Sequence, residues 1–295
     1  MTAYDLGFRL GPRINAAGRM DAAKAVVELF DTRDRDEARR LAMHLDTRNE
    51  ERKTVQQQII DLAVAELADQ SKPASHVAVI AGEGWHRGVI GIAASKIAER
   101  INRPCVVFSI DGELAHGSGR SIESYHLLNG LTACSDLFEK FGGHSHAAGI
   151  TIRPQRIDEF RRRLNEHASS CLTADDLQPA VTIDLELKPE SVTFAQAREL
   201  DALEPFGAGN PRPVFMTRNL RCLSPPSVIK DRHLKFRVAG PQNRPLEAVW
   251  WNCIETPGQT PELNGSIELA YTLETSAWNG DYRMQLNVLD LKCRN

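Results

Sequence analysis

Ten residues, 142 to 151 (GGHSHAAGIT), combine a glycine pair, an imidazole at His144 and a run of small apolar side chains. Glycine lets a backbone come close to a ligand and frees its N–H groups to point at it. Gly142, Gly143 and His144 therefore read as one wall of a phosphate site. A second wall is expected at residues 117 to 122 (GSGRSI), with a hydroxyl at Ser118, a guanidinium fork at Arg120 and two more glycines; such groups suit an oxyanion. A third is EGWHRGVIG, residues 83 to 91, where a strand leads into a helix with His86 and Arg87 in its first turn, at the end that attracts anions. A glycine pair alone is usually just a turn and a single histidine usually structural, so the weight lies in the three together. His116, His144 and His146 are a rival metal set, ranked lower because no acidic residue stands beside His144 and His146 in the GGHSH run.

The elements needed to position these loops follow from the apolar pattern. Residues 76–81, 104–110, 114–118 and 147–152 read as strands, and 87–101, 125–141 and 157–168 as helices, which gives an α/β layer with a largely parallel or mixed sheet. Ahead of it, GPRINAAGRM (11–20) reads as a turn, followed by a helical face at Ala22, Val26, Leu29 and Phe30. Residues 34–70 hold no proline or glycine and read as one helix capped by Asp34 and Asp36. At 1.5 Å per residue it extends over roughly 50 Å, so it is expected to act as a connector, with a polar middle (46–53) that needs no function. SKPAS (71–75) is a hinge and 169–179 a polar linker. The domains expected are 1–70, 71–170 and 180–295.

The last segment opens with VTIDLELKP (181–189), then a short helix (193–203) and a Gly/Pro-rich turn, EPFGAGNPRP. Five strand-like runs follow, within 214–223, 233–240, 246–253, 266–278 and 282–292, as in a small Greek-key barrel of the OB type. Between Pro211 and Pro245 the basic residues Arg212, Arg218, Arg221, Lys230, Arg232, Lys235, Arg237 and Arg244 face one acid, Asp231. The plain reading is a set of cations guarding sheet edges; the alternative is a groove that tracks a strand of nucleic acid. Phe236, Trp250, Trp251, Trp278 and Tyr282 are the aromatics on offer. Trp250 and Trp251 should point to opposite faces, and Trp278 and Tyr282, flanking Asn279-Gly280-Asp281, suit either a loop tip or hairpin packing.

Composition bounds the rest. With 295 residues, 42% of them hydrophobic, and a net charge of −3, the chain is an ordinary globular one with no global charge signal. Six dispersed cysteines form no Cys-x-x-Cys pair, which argues for reduced thiols. No apolar run approaches the roughly 18 residues of a membrane span, and the first residues lack a secretory core, so a cytoplasmic location and no membrane partner are expected.

GPRINAAGRM, EGWHRGVIGIAASKI, GSGRSI with GGHSHAAGIT, EPFGAGNPRPVF and DRHLKFRV occur in this order over nearly the whole chain. In this the chain resembles the RecJ family of single-strand-specific DNA exonucleases, including its DHH-associated domain. The resemblance implies a 5′ to 3′ exonuclease of DNA repair and recombination, with a terminal 5′ phosphate held by Ser118, Arg120, Gly142, Gly143 and His144. It implies DNA contacts at Arg13, Arg19, His86 and Arg87, and favours the strand-tracking reading for Lys230, Arg232, Lys235, Trp278 and Tyr282. The family's metal-binding phosphoesterase domain, with its Asp-His-His triplet, stands ahead of GPRINAAGR, and no such triplet occurs here. This chain alone is expected to bind no cofactor and to be catalytically silent, with Mg or Mn serving the full-length enzyme. Partners implied are single-stranded DNA with a 5′ end, the missing domain, a single-strand-binding protein or a helicase. Two other readings stand beside it: a free-standing single-strand-binding protein that never cleaves, and an RNA-binding module, since alanyl-tRNA synthetases end in a related domain with a Gly-Gly-His motif.

Overall fold

The computed structural model describes residues 5–20, 23–67, 75–254, 261, 263, 265–278 and 281–294, with the side chains of 276–278, 281 and 282 excepted. It divides into two compact units, Met1–Pro179 and Ala180–Asn295.

In the first unit a π-helical turn, Asp5–Leu10, runs into helices α1 (Gly11–Arg19), α2 (Ala23–Asp31) and α3 (Arg35–Leu67). GPRINAAGR is therefore a helix rather than the expected turn. Pro12 is tolerated in its first turn, where its missing N–H is not needed, and Ala16 and Ala17 are small enough to bury. On α2 the packing face is Ala25, Val26 and Leu29, while Phe30 is 75% exposed; Ala22 lies outside the described residues. Asp34 caps α3, its Oδ1 accepting the N–H groups of Asp36 (2.8 Å) and Glu37 (3.4 Å). The long helix is present, but its second half is core. Leu41 and Leu45 pack with the amino-terminal helices, and Ile59, Ile60 and Ala63 pack beneath the next helix. Most of SKPAS lies outside the described residues.

Strands β1 (Ala78–Glu83), β2 (Cys105–Asp111), β3 (Leu114–Arg120), β4 (Phe138–Gly143) and β5 (Ala147–Ile152) form a mixed sheet in the order β1-β2-β3-β5-β4. β1 and β2 are parallel and the other pairs antiparallel. Helix α4 (Arg87–Ile101) covers one face, capped by His86 and closed at Asn102 in the left-handed region. Short α5 (Leu127–Thr132) and α6 (Ile157–Cys171) cover the other; Ile157, Phe160, Leu164 and Ala168 give α6 its buried stripe.

The helix expected over 125–141 breaks after Thr132. Phe138 and Phe141 turn inward, with ring centroids 5.2 Å apart and Phe138 5.3 Å from Phe160, and the segment becomes the edge strand β4. A tertiary demand thus overrides a helix-compatible local pattern. GSGR is strand β3 and not a loop, because Cβ atoms at Gly117 and Gly119 would run into Phe108 and Leu127. Those glycines face the core, which leaves His116, Ser118 and Arg120 on the other face.

The second unit holds β6 (Leu185–Glu186), α7 (Phe194–Asp201), β7 (Phe215–Arg221), β8 (Ser227–Ile229), β9 (His233–Ala239), β10 (Pro245–Trp250), β11 (Ser266–Trp278) and β12 (Asp281–Arg294). Only two residues of VTIDLELKP pair as strand. Thr193 and Gln196 close a capping box on α7. The sheet order is β6-β7-β11-β12-β10-β9-β8. It curls until β7 meets β9, through a bridge between Cys222 and Val238 and a bond from the Leu223 N–H to the Arg237 carbonyl (2.8 Å). Five strands thereby ring a core that includes Leu220, Phe236, Val238, Leu269, Tyr271 and Leu286.

Candidate anion and nucleic-acid interface

Where α4 starts beside β3, a cavity of about 850 Å³ opens. Arg19, Trp85, His86, Arg87, Asp111, Ser118 and Arg120 line it, with Gly18, Gly84, Gly88 and Gly91. A Cβ on Gly88 would fall 2.4 Å from the Arg19 carbonyl oxygen, so the end of α1 lies directly against the start of α4. Arg19 Nη1 donates to the Gly88 carbonyl at 3.3 Å, which holds that arginine at the rim.

His86 caps α4 through its side chain, Nδ1 accepting the Gly88 N–H at 3.1 Å. A ring nitrogen used as acceptor leaves Nε2 to carry the proton of the neutral imidazole, a donor at the positive end of a 15-residue helix. Arg120 Nη1 donates to the Ser118 hydroxyl (3.1 Å) and the Gly119 carbonyl (2.7 Å), which sets its fork beside that hydroxyl. Burial, and then the charge of Arg19, draw the Arg120 guanidinium below its usual range. His116, next along the same face, is drawn down by burial and then by Arg87, against the opposing pull of Asp111.

The cavity gathers arginines that form no ion pair among the described residues, although Asp111 stands on the same wall. Arg153, Arg161, Arg162 and Arg163 all pair with carboxylates. Among the described residues, none pairs with Arg19, Arg87 or Arg120. Like charges that outnumber the single carboxylate on the wall, Asp111, are costly in a free protein and favourable around a bound polyanion.

Ser118, Arg120, Arg19, His86 and Arg87 are thus brought together. Gly142, Gly143 and His144 are not on the cavity wall. Gly142 pairs with Gly149, which pairs with Ser118, so the glycine sits on the same rung and face two strands away, roughly 10 Å across the sheet. Cβ atoms at Gly142 and Gly149 would meet nothing within 4 Å, so this part of the face is an open floor. The His144 N–H donates to the Ala147 carbonyl (2.8 Å) and closes the hairpin. Arg13 lies elsewhere, paired with Asp46. Trp85, Asp111 and Gly91 were not singled out from sequence. The spacing of Gly88 and Gly91, one turn apart on α4, was the available signal of a close approach.

On the second unit the basic window is less basic than it reads, because carboxylates from outside it fold back. Arg212 pairs with Glu204 (2.9 Å) and lies over the Phe206 ring (4.3 Å). Arg218 pairs with Glu186 and Glu268, and Lys235 with Glu247 (2.8 Å). Lys230, Arg232, Arg237 and Arg244 have no carboxylate partner among the described residues. Phe236 is buried in the core and Trp250 packs against it. Trp278 and Tyr282 lie at the paired ends of β11 and β12; their side chains, and the Asn279-Gly280 turn, fall outside the described residues.

Comparison with known proteins gives two family models, the DHHA1 domain over residues 73–170 and the RecJ OB domain over 183–290. The single-stranded-DNA-specific exonuclease RecJ of Dickeya dadantii is 36% identical over 97% of this chain and 51% of its own length. That of Bacillus subtilis is 34% identical over 97% of this chain and 36% of its own. A crystal structure of RecJ in complex with Mg2+, from Thermus thermophilus, matches with a TM-score of 0.82 and 28% identity, covering 100% of this chain and 44% of that one. The chain spans about half, or less, of the length of these relatives. No group of three or more His, Cys, Asp or Glu side chains gathers to hold a metal among the described residues, and no candidate helix among them is long and apolar enough to cross a membrane. The donor set present does not fit the Mg2+ or Mn2+ carried by the Thermus structures, so no hydrolytic step is assigned to these side chains. Two domain models in succession, relatives of matching name along nearly the whole chain and a shared fold converge: the chain belongs to the RecJ family, of which it carries the DHHA1 and OB domains.

Proposed function

We propose that this chain is the substrate-holding part of a single-strand-specific 5′ to 3′ DNA exonuclease of repair and recombination. Ser118 and Arg120, with Arg19, His86 and Arg87 around them, take the terminal 5′ phosphate. Gly142, with Gly149 beside it, forms the floor over which the adjoining part of the strand passes, and Gly143 and His144 hold the hairpin at its edge. The observation that carries this is the gathering of Arg19, Arg87 and Arg120, none ion-paired among the described residues, at the start of α4 beside the Ser118 hydroxyl. A terminal phosphate brings close to two negative charges and three acceptor oxygens, which such a site can satisfy at once. The OB unit holds the strand by its backbone and bases, with Lys230 and Arg232 as cations available to phosphates. Metal-dependent cleavage, a cytoplasmic location, and a single-strand-binding protein or helicase as partner complete the proposal; a pull-down from cell extract with the full chain tests the partners.

The test is paired binding of single-stranded oligonucleotides with a 5′ phosphate or a 5′ hydroxyl. The phosphorylated end is expected to bind more tightly, and Arg120→Ala to erase the difference. Equal affinity of the unaltered protein for both ends would defeat the reading.

A further inference from the structure

Trp251 follows β10 and keeps 47% of its surface exposed, while Trp250 beside it packs against the core. Its indole meets the His233 ring edge-on, with centroids 4.9 Å apart and planes at 71°. His233 is itself held, its Nδ1 accepting the Asn252 N–H at 2.9 Å. The tryptophan is therefore braced on one side and open on the other.

The same place carries free cations. The turn between β8 and β9 is closed by the Arg232 N–H on the Ile229 carbonyl (3.3 Å), with Lys230 and Asp231 at φ 50° and 57°, the conformation of a tight hairpin. The Ile254 N–H donates to the Arg232 carbonyl (3.3 Å), tying this turn to the segment that carries Trp251. Lys230 and Arg232 are exposed and have no carboxylate partner among the described residues, whereas Lys235, on the strand that follows the turn, is neutralised by Glu247. An exposed indole beside unpaired cations matches a ligand with both flat rings and anions, and a nucleic-acid strand with unstacked bases supplies both.

We infer that Trp251, braced by His233 and flanked by Lys230 and Arg232, is a base-stacking platform for single-stranded nucleic acid on the OB unit. The inference rests on the proposed role of that unit in gripping the strand and adds where a base is held.

The experiment uses the full chain and fluorescence anisotropy with 3′-labelled oligothymidylate, carrying a 5′ phosphate or a 5′ hydroxyl, and a duplex control. Trp251→Ala is expected to weaken single-strand binding about 5-fold or more, the low end of one base stack. Trp251→Leu, which keeps bulk without a π face, should lose nearly as much, and Trp251→Phe should keep most of the affinity. Duplex binding and the preference for a 5′ phosphate should not change. Unaltered single-strand affinity in folded Trp251→Ala and Trp251→Leu, or an equal loss on duplex, would overturn the platform while leaving strand grip intact. Failure of the unaltered protein to bind any single strand would instead overturn the underlying role, and the platform with it.

Discussion

A methyl group placed on Gly91 would lie 3.0 Å from the Ser118 hydroxyl and 3.2 Å from Nη2 of Arg120. Helix α4 and strand β3 thus meet with no room for a side chain where the proposed phosphate seat lies. In Gly91→Ala the hydroxyl and the guanidinium must both give way, while the helix gains about 0.5–1 kcal/mol of propensity. The expected outcome is a protein that melts no lower than the parent yet loses several-fold of its preference for a 5′ phosphate over a 5′ hydroxyl. Thermal melts and paired titrations check it.

The two glycines at the tip of β4 should behave differently. At Gly143, φ is +153° and a Cβ would fall 2.3 Å from the Ala147 carbonyl oxygen, whereas at Gly142 a Cβ meets nothing within 4 Å. Gly143→Ala is expected to cost about 1–3 kcal/mol of stability. Gly142→Ala should stay within about 0.5 kcal/mol of the parent and weaken DNA binding by closing the open floor. Denaturant titration beside oligonucleotide binding separates the two.

Salt dependence should sort the cations of the OB unit. Each unpaired cation that neutralises a phosphate contributes about one to the slope of log affinity against log salt. Lys230→Ala and Arg232→Ala should each flatten that slope by about one. Lys235→Ala should flatten it less, because Glu247 already holds that ammonium at 2.8 Å. Glu247→Gln should steepen it, and titrations from low to moderate salt decide.

Alkaline pH should find Tyr271. Burial pushes its phenol up to about 12 from an ordinary 10, partly offset by its bond to Thr217, whose hydroxyl lies 2.8 Å away. The fold favours the protonated phenol, so this stabilisation is complete below pH 10 and is lost as the pH rises toward 12. Melts over that range should fall more steeply for the parent than for Tyr271→Phe. Thr217→Val, which strips the buried phenol of its partner, should cost about 1–3 kcal/mol at neutral pH.

The extent of helix α4, 87–101, was legible in the sequence; that His86 caps it rather than standing in its first turn, and that Asn102 closes it in the left-handed region, came only with the structure. The extent of β5 was legible too, from its small and β-branched run. The start of β3 was legible, since 114–118 reads as a strand; its run on through Gly119 and Arg120 was not, because GSGR also has the composition of a loop and only packing against Phe108 and Leu127 explains why two glycines belong in a strand. The fate of 125–141 was hidden likewise, since Phe138 and Phe141 acquire their direction from Phe160. Of the candidate site, the side chains that chemistry marks as anion ligands were readable one by one. Their grouping depended on the strand order β1-β2-β3-β5-β4, which sets Gly142 two strands from Ser118 and puts Trp85, just past β1, and Asp111, at the end of β2, on the cavity wall instead.

The split loyalty of α3 bears on how this protein can be dissected. Leu45 anchors it among the amino-terminal helices, and Ile59, Ile60 and Ala63 roof the outer side of α4. A fragment trimmed to residues 73–170, the extent of the DHHA1 match, would leave that greasy flank open to water and discard Arg19 with the severed scaffold. For grafting or shuffling, the transferable cassette is Met1–Pro179 taken whole.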